Sequence, residues 1–150
     1  MSTNSNIIVK VKKDDINCLM LFDAKKLDAP ENYWGKGVSN KKGVEQAVDI
    51  TKDYIGTYCH WDGYLEGVGS VLKEHFNTYD KALNLVLGGS CSSLGDNGDI
   101  IRFATRGGEN WDYIKPKQSD NPKTLAKQEY NYLFEDGKWK WLDKGEWKEY

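Results

Sequence analysis

The segment Tyr58–Tyr64, Tyr-Cys-His-Trp-Asp-Gly-Tyr, holds more chemically useful side chains than any other seven residues of the chain. His60 and Asp62 can orient a ligand by hydrogen bonds, and Trp61 and Tyr64 offer rings on which a base can stack. The pattern predicts a strand that ends in a glycine turn and leads into a helix, so the first helical N–H groups would face the turn and favour an anion. We therefore predict a pocket for a small anionic, nucleotide-like ligand at this turn.

Two arginines could complete that pocket. Arg102 and Arg106 follow the apolar start of a predicted strand, Ile100–Ala104, and guanidinium groups neutralise phosphates well. The predicted ligand-binding set is His60, Trp61, Asp62, Tyr64, Arg102 and Arg106. A purely structural role for the turn is an equal alternative, in which Tyr58, His60 and Tyr64 pack the core and Asp62 caps the helix.

Metal and nucleophile chemistry find less support in the spacing. Cys59 and His60 are adjacent, so on a strand they point to opposite faces, and the sequence has no Cys-x-x-Cys or His-x-x-x-His pair. We expect no metal, no cofactor and no Cys–His nucleophile, with Cys18, Cys59 and Cys91 as reduced, buried thiols. The 23 acidic residues show no diagnostic pair, which leaves a small hydrolase as an alternative to a binding protein.

The length and charge of the chain limit the remaining classes of protein and function. The 150 residues suit one domain, residues 1–150, and 39% hydrophobic with 29% charged residues is typical of a folded globular chain. A net charge of -2 without a basic run argues against general nucleic-acid binding. The start, Met1–Asn6, lacks the layout of a secretory signal, and no apolar stretch is long enough to span a membrane. We expect a cytoplasmic protein with no membrane partner.

Periodicity predicts the elements that position the turn. Alternation predicts strands at 7–12, 18–22 and 54–60, with the first two forming a hairpin, whereas 23–40 is predicted to be a loop. Helical spacing predicts helices at 42–52, 65–76 and 78–87, the last one capped by Thr78 and stopped by Gly88-Gly89. The strand at 7–12 could pair across a dimer axis, so a homo-oligomer stays open.

The C-terminal residues carry the clearest pattern. Asp136-Gly137 between two aromatic strands predicts a hairpin with a type I′ turn. A two-residue loop fixes the cross-strand pairs as Glu135 with Lys138, Phe134 with Trp139, and Tyr132 with Trp141. A second turn at 143–145 allows a last strand, 146–150. The tryptophans, Trp139, Trp141 and Trp147, could cover the sheet or present a face to a protein partner.

The predicted fold class is α+β, an antiparallel sheet that ends in an aromatic meander and packs against two or three short helices.

The block Tyr58–Tyr64, with Gly67, Gly69, His75-Phe76-Asn77 and Ser92-Ser93-Leu94-Gly95 after it, resembles a family of small uncharacterised proteins encoded by tailed bacteriophages and prophages. Relative to that family, residues from about 14 to 51 look like an insertion. The resemblance implies a phage accessory protein in the host bacterial cytoplasm, with no assigned catalytic role. It further implies counter-defence, either by sequestering a nucleotide signal or, as the alternative, by inhibiting a host defence protein such as a CRISPR effector.

Overall fold

The computed structural model describes residues 3–12, 52–101 and 116–150, and the backbone alone of 105–106 and 109–110. The predicted α+β class is confirmed. The strands are β1 (Ser5–Lys10), β2 (Tyr54–Cys59), β3 (Ser93–Leu94), β4 (Ile100–Ile101), β5 (Thr105–Arg106), β6 (Glu109–Asn110), β7 (Lys117–Ser119), β8 (Tyr130–Glu135), β9 (Lys138–Asp143) and β10 (Glu146–Glu149). The helices are a π-helical turn (Leu65–Gly69) that continues into α1 (Ser70–His75), then α2 (Tyr79–Leu87) and α3 (Pro122–Leu125).

Six strands form the main sheet, in the order β10-β9-β8-β1-β2-β7. β1 pairs antiparallel with β2 and parallel with β8, so the sheet is mixed where the sequence predicted a wholly antiparallel one. Both edges of β1 are therefore occupied, and this strand has no open edge for a second copy of the chain. The predicted hairpin partner at 18–22, the loop at 23–40 and the helix at 42–52 lie outside the described residues.

β1 is the centre of the core. Its alternation places Ile7 and Val9 on one face and Ile8 on the other, and all three side chains are fully buried. Ile7 and Val9 belong to the large cluster beneath α1 and α2, whereas Ile8 packs with Leu125 and Leu133 on the opposite face. A strand covered on both faces in this way loses the usual alternation of apolar and polar residues.

The two predicted central helices are confirmed, with one difference. Instead of running straight from 65 to 76, the first helix kinks at Gly67, whose φ of -96° and ψ of -105° are not helical. A Cβ on Gly67 would overlap the carbonyl oxygen of Asp62, so the close approach of the turn requires glycine at this position. The kink thus follows from the packing of the turn against the helix.

α2 begins and ends where its sequence predicts. The Thr78 side chain accepts a hydrogen bond from the Lys81 N–H at 3.3 Å, which is the expected N-cap. Gly88 is the C-cap residue, and Gly89 follows in the left-handed region with φ 83°. This short helix is held by its buried face, which is formed by Tyr79, Ala82, Leu83, Leu85, Val86 and Leu87.

The predicted hairpin register is confirmed for all three cross-strand pairs. Asp136 and Gly137 have φ of 55° and 77°, as a type I′ turn requires, and β10 completes the meander through Lys144-Gly145. The charges pair differently from the backbone, however. Glu135 lies 3.1 Å from the Lys140 ammonium, and Lys138 lies 3.1 Å from Glu149, because these diagonal neighbours share a sheet face.

The tryptophans of the meander cover the sheet. Trp139 is only 4% exposed, and Trp141 and Trp147 are half-buried. In the part of the chain that the structure describes, the exposed large hydrophobic side chains are instead Tyr64 and Ile101. Within the same described ranges, no helix combines the length and the apolar character that crossing a bilayer requires.

Candidate functional site

The predicted site begins where β2 ends, against the segment that follows α2. The His60 N–H donates to the Cys91 carbonyl at 3.1 Å, and the Trp61 N–H donates to the Ser92 carbonyl at 2.8 Å. The Cys91 N–H donates in turn to the Tyr58 carbonyl at 2.9 Å. This short parallel pairing extends β2 beyond its last residue and fixes the backbone that carries His60 and Trp61.

Three rings gather at this strand end. The Tyr58 hydroxyl lies 2.5 Å from His60 Nδ1, and the His60 and Trp61 rings meet edge to face with centroids 4.8 Å apart. All three side chains are half-buried. Burial, aided by the neighbouring Cys59, raises the pKa of Tyr58 above its ordinary value, so the phenol keeps its proton at neutral pH. The arrangement offers a stacking surface beside an imidazole held by one of its nitrogens.

Asp62 and Tyr64 form a separate, exposed pair. Asp62 has φ 57°, and the Tyr64 hydroxyl lies 3.4 Å from its carboxylate. The Asp62 side chain does not cap the following helical turn, whose N-cap residue is Tyr64 and has no side-chain hydrogen bond. The cap hydrogen bond comes from the backbone instead, because the Asp62 carbonyl accepts from the Val68 N–H at 2.8 Å.

Three of the helical amides near the turn, where the sequence predicted an anion, already donate to carbonyls of the turn. The Gly67 and Gly69 N–H groups both donate to the Tyr64 carbonyl, at 3.0 and 3.3 Å, beside the Asp62–Val68 bond. An anion at these three amides would have to compete with the carbonyls that already accept from them. A ligand could therefore reach these three amides only at the expense of a backbone hydrogen bond.

Gly63 makes the turn a junction of three chain segments. Its N–H donates to the Thr3 carbonyl at 2.8 Å, and its carbonyl accepts from the Tyr132 hydroxyl at 2.5 Å. A Cβ on Gly63 would lie 2.8 Å from the Thr3 carbonyl oxygen and 2.9 Å from Ser5 Cβ. The Asp-Gly pair in the motif thus has a structural reason that is independent of any ligand.

The six predicted site residues are only partly brought together. His60 and Trp61 contact each other, and Asp62 and Tyr64 contact each other on the exposed side of the turn. Arg102 lies outside the described residues. Arg106 belongs to β5, of which only the backbone is described. That the two arginines meet the turn stays a prediction.

A cavity elsewhere on the molecule was missed by the sequence reasoning. It has a volume of about 260 Å³ and lies between α1 and the meander. Its lining comes from the end of α1 and the residues after it, from the β8–β9 turn and from the end of β10: Lys73, Asn77, Gly137, Lys138, Trp139, Glu149 and Tyr150.

Two aromatic side chains form a fixed floor for this cavity. Trp139 Nε1 donates to the Phe76 carbonyl at 2.8 Å, and the Tyr150 hydroxyl donates to the Gly69 carbonyl at 2.8 Å. Burial raises the pKa of Tyr150 well above its ordinary value, so this donor stays protonated. Because both bonds reach the helical segment 69–76, the floor is organised before any ligand arrives.

The rim of the cavity carries charged side chains, and their ion pair is exposed to solvent. The Lys73 ammonium donates to the Tyr150 carbonyl and lies 4.9 Å from the centroid of the Tyr150 ring. The Lys138 ammonium pairs with Glu149 at 3.1 Å, and these two side chains are 65% and 57% exposed. Among the lining side chains, Lys73 and Lys138 are cationic and Glu149 is anionic, and each ammonium group already has an oxygen partner, the Tyr150 main-chain oxygen or the Glu149 carboxylate.

The sequence contains signals for part of the cavity lining. The hairpin register already placed Lys138 next to Trp139 at the start of β9, and helical spacing left Lys73 on the outer side of the predicted helix. What the pattern could not give is the docking of α1 against the end of β10, since that contact joins residues 77 positions apart.

Within the described ranges, no group of three or more His, Cys, Asp and Glu side chains comes together as a metal site would require. No family model, curated protein or solved structure matches this chain.

Proposed function

We propose that this protein binds a small anionic, nucleotide-like ligand and releases it unchanged. The observation that supports this most strongly is the cavity beside α1, which Lys73, Lys138 and Asn77 line together with Trp139 and Tyr150, two aromatic residues that hydrogen bonds hold in place. Ammonium and amide donors suit phosphate oxygens, and the faces and edges of aromatic rings suit a sugar or base. The resemblance of the Tyr58–Tyr64 block supports the biological setting, a phage accessory protein that sequesters a host defence signal in the bacterial cytoplasm.

The ion pairs at the rim favour exchange with a ligand. An exposed pair such as Lys138 with Glu149 contributes only about 0–1 kcal/mol to stability. A phosphodiester or pyrophosphate group carries one negative charge and two non-bridging acceptor oxygens at each phosphorus, so it can replace the Glu149 carboxylate as the partner of Lys138. Loss of this ion pair on ligand binding would then lower the stability of the fold only slightly.

The size of the cavity limits the ligand. Its volume of about 260 Å³ lies just below the roughly 300–1,000 Å³ of pockets that enclose drug-sized molecules. A mononucleotide-sized group fits a cavity of this volume, whereas only one half of a larger dinucleotide would fit inside and the other half would remain in solvent. Cyclic nucleotides and ADP-ribose are therefore the first ligands to examine.

The turn after β2 is the second place at which the same ligand could stack. Tyr58, His60 and Trp61 form its half-buried surface, and Asp62 and Tyr64 lie on its exposed side. Variants of the cavity and of the turn, tested in parallel, decide which of the two places binds the ligand. Lys73→Met and Lys138→Met test the cavity, His60→Ala with Asp62→Asn tests the turn, and Lys117→Met is the matched control. Lys117 is exposed in β7, at the opposite edge of the sheet from β10.

Isothermal titration calorimetry with a cyclic mononucleotide, a cyclic dinucleotide and ADP-ribose measures the affinity of each variant. Loss of one charge-assisted hydrogen bond, about 1.5–3 kcal/mol, should weaken binding at least tenfold for each cavity lysine and leave Lys117→Met unchanged. Loss only in the turn variant would move the site to the turn. No binding by any of the three ligands would contradict the proposal, and recovery of a cleaved ligand by mass spectrometry would establish the hydrolase alternative instead.

A further inference from the structure

Two cysteines lie directly opposite each other beneath the turn. Cys59, the last residue of β2, and Cys91 form an isolated parallel β-bridge. The backbone bonds on both sides of this bridge, Cys91 N–H to Tyr58 and His60 N–H to Cys91, hold the two residues in register. They are 32 positions apart in the chain, so only the tertiary fold makes them neighbours.

The two side chains share one buried environment. Both are reduced thiols, with Cys59 fully buried and Cys91 only 3% exposed. The interaction with the Cys91 thiol, together with burial, raises the pKa of Cys59 well above its ordinary value. Protonated, enclosed thiols react slowly while the fold is closed, because the thiolate is the nucleophile.

The relationship between the backbones suits a covalent link. Neighbouring strands lie about 4.7–4.9 Å apart, and disulfides are usual at Cα separations of about 4.4–6.8 Å. Residues opposite each other in a parallel bridge also direct their side chains to the same face of the sheet. The bridge therefore places the two cysteines at a strand spacing that lies within the range of Cα separations found in disulfides.

We propose that Cys59 and Cys91 are a redox modification site that is oxidised to an intramolecular disulfide by a low-molecular-weight disulfide. In the first step the thiolate of Cys91, the cysteine with some exposure, attacks the small disulfide and releases one small thiol. The Cys59 thiol then loses its proton and attacks the Cys91 sulfur, which releases the second small thiol. The two cysteines lose two electrons and two protons, and the small disulfide gains both as two thiols.

This disulfide would fasten the segment after α2 to the end of β2, immediately before the Tyr58–Tyr64 turn. It closes a loop through α1 and α2, and cross-links of this length commonly stabilise a fold by limiting the unfolded chain. The proposal is independent of ligand binding, because the thiols do not line the cavity beside α1.

The test compares disulfide formation in the folded and unfolded chain. Full-length protein with Cys18→Ser, which removes the third thiol, is equilibrated anaerobically in glutathione redox buffers, with and without concentrated urea. Acid quenching, alkylation and peptide mass spectrometry then give the ratio of Cys59–Cys91 disulfide to dithiol. The equilibrium is approached from both sides, by oxidation of the dithiol form and by reduction and refolding of the disulfide form. Slow access of the buffer to the buried thiols therefore does not alter the final ratio of disulfide to dithiol.

The folded chain should form the disulfide at least about tenfold more readily than the chain in urea, which corresponds to about 30 mV for this two-electron couple. The disulfide form should then unfold at a higher urea concentration than the dithiol form, since both measurements report the same linkage. Cys59→Ala and Cys91→Ala, each in the Cys18→Ser background, keep a single thiol and serve as references for the mixed disulfide with glutathione. A ratio below tenfold, or glutathione mixed disulfides as the main product, would overturn the proposal.

Discussion

The Tyr132 hydroxyl donates a hydrogen bond to the Gly63 carbonyl at 2.5 Å inside the core. Tyr132 is fully buried and lies in β8, whereas Gly63 lies in the turn after β2, so this one bond ties the aromatic meander to the candidate turn. Burial raises the pKa of Tyr132 far above its ordinary value, which keeps the hydroxyl a donor at every physiological pH.

Tyr132→Phe should destabilise the protein by about 1–3 kcal/mol, because it leaves the buried Gly63 carbonyl without its donor while the ring still fills the core. Urea unfolding monitored by circular dichroism measures the change in the free energy of unfolding. Tyr64→Phe is the matched control, since that hydroxyl is exposed and lies 3.4 Å from its partner. Equal and small effects of the two substitutions would show that the bond to Gly63 contributes nothing.

Gly63→Ala should destabilise by about 1–3 kcal/mol, the usual range for overpacking. The added Cβ would lie 2.8 Å from the Thr3 carbonyl oxygen, and backbone atoms cannot move aside as a flexible side chain can. Gly145→Ala separates crowding from backbone strain, because Gly145 has φ 83° but nothing within 4 Å of the added Cβ. In Gly63→Ala the N-terminal amides near Ser5 should also exchange hydrogen faster, which Gly145→Ala should not cause.

Thr78→Ala should cost about 1 kcal/mol of stability, since the Lys81 N–H loses its acceptor at the start of α2. Thr78→Ser keeps an oxygen at the same position and should stay within a few tenths of a kcal/mol of the parent protein. Chemical denaturation of the three proteins side by side provides the measurement. An alanine variant as stable as the serine variant would mean that the cap hydrogen bond has no net value.

Glu135 should make the stability depend on pH at the acid end. Burial alone would raise its pKa, but the hydrogen bond and charge of Lys140, with Lys10 and Tyr54, outweigh burial and lower the pKa below its ordinary value. A lowered folded pKa adds stability above the unfolded pKa of about 4.3, and this contribution is lost as the pH falls through the folded pKa.

Glu135→Gln removes that contribution, so the stability difference from the parent should be constant above about pH 5 and should shrink toward acid pH. Urea midpoints measured across this range give the difference directly. Glu129→Gln, at an exposed position before β8, is the control and should show no such trend. A difference that stays constant down to the lowest pH would indicate that the effect of Glu135→Gln is not electrostatic.

Local patterns were sufficient wherever a backbone conformation depends on its own residues. Asp136-Gly137 determined the hairpin and its register, because only residues that tolerate positive φ make a type I′ turn. Thr78 and Gly88-Gly89 likewise marked the ends of α2. In the central block, alternation and helical spacing located β2 and the helices, although not the kink at Gly67.

The tertiary structure alone decided which elements that are distant in the chain meet. The parallel pairing of β1 with β8 joins residues more than 120 positions apart, and no local signal encodes the choice between a parallel and an antiparallel neighbour. The same holds for the Cys59–Cys91 bridge and for the cavity between α1 and β10. Side-chain chemistry can be listed from a sequence, but a site needs distances, and distances between remote residues are set by how the whole core packs.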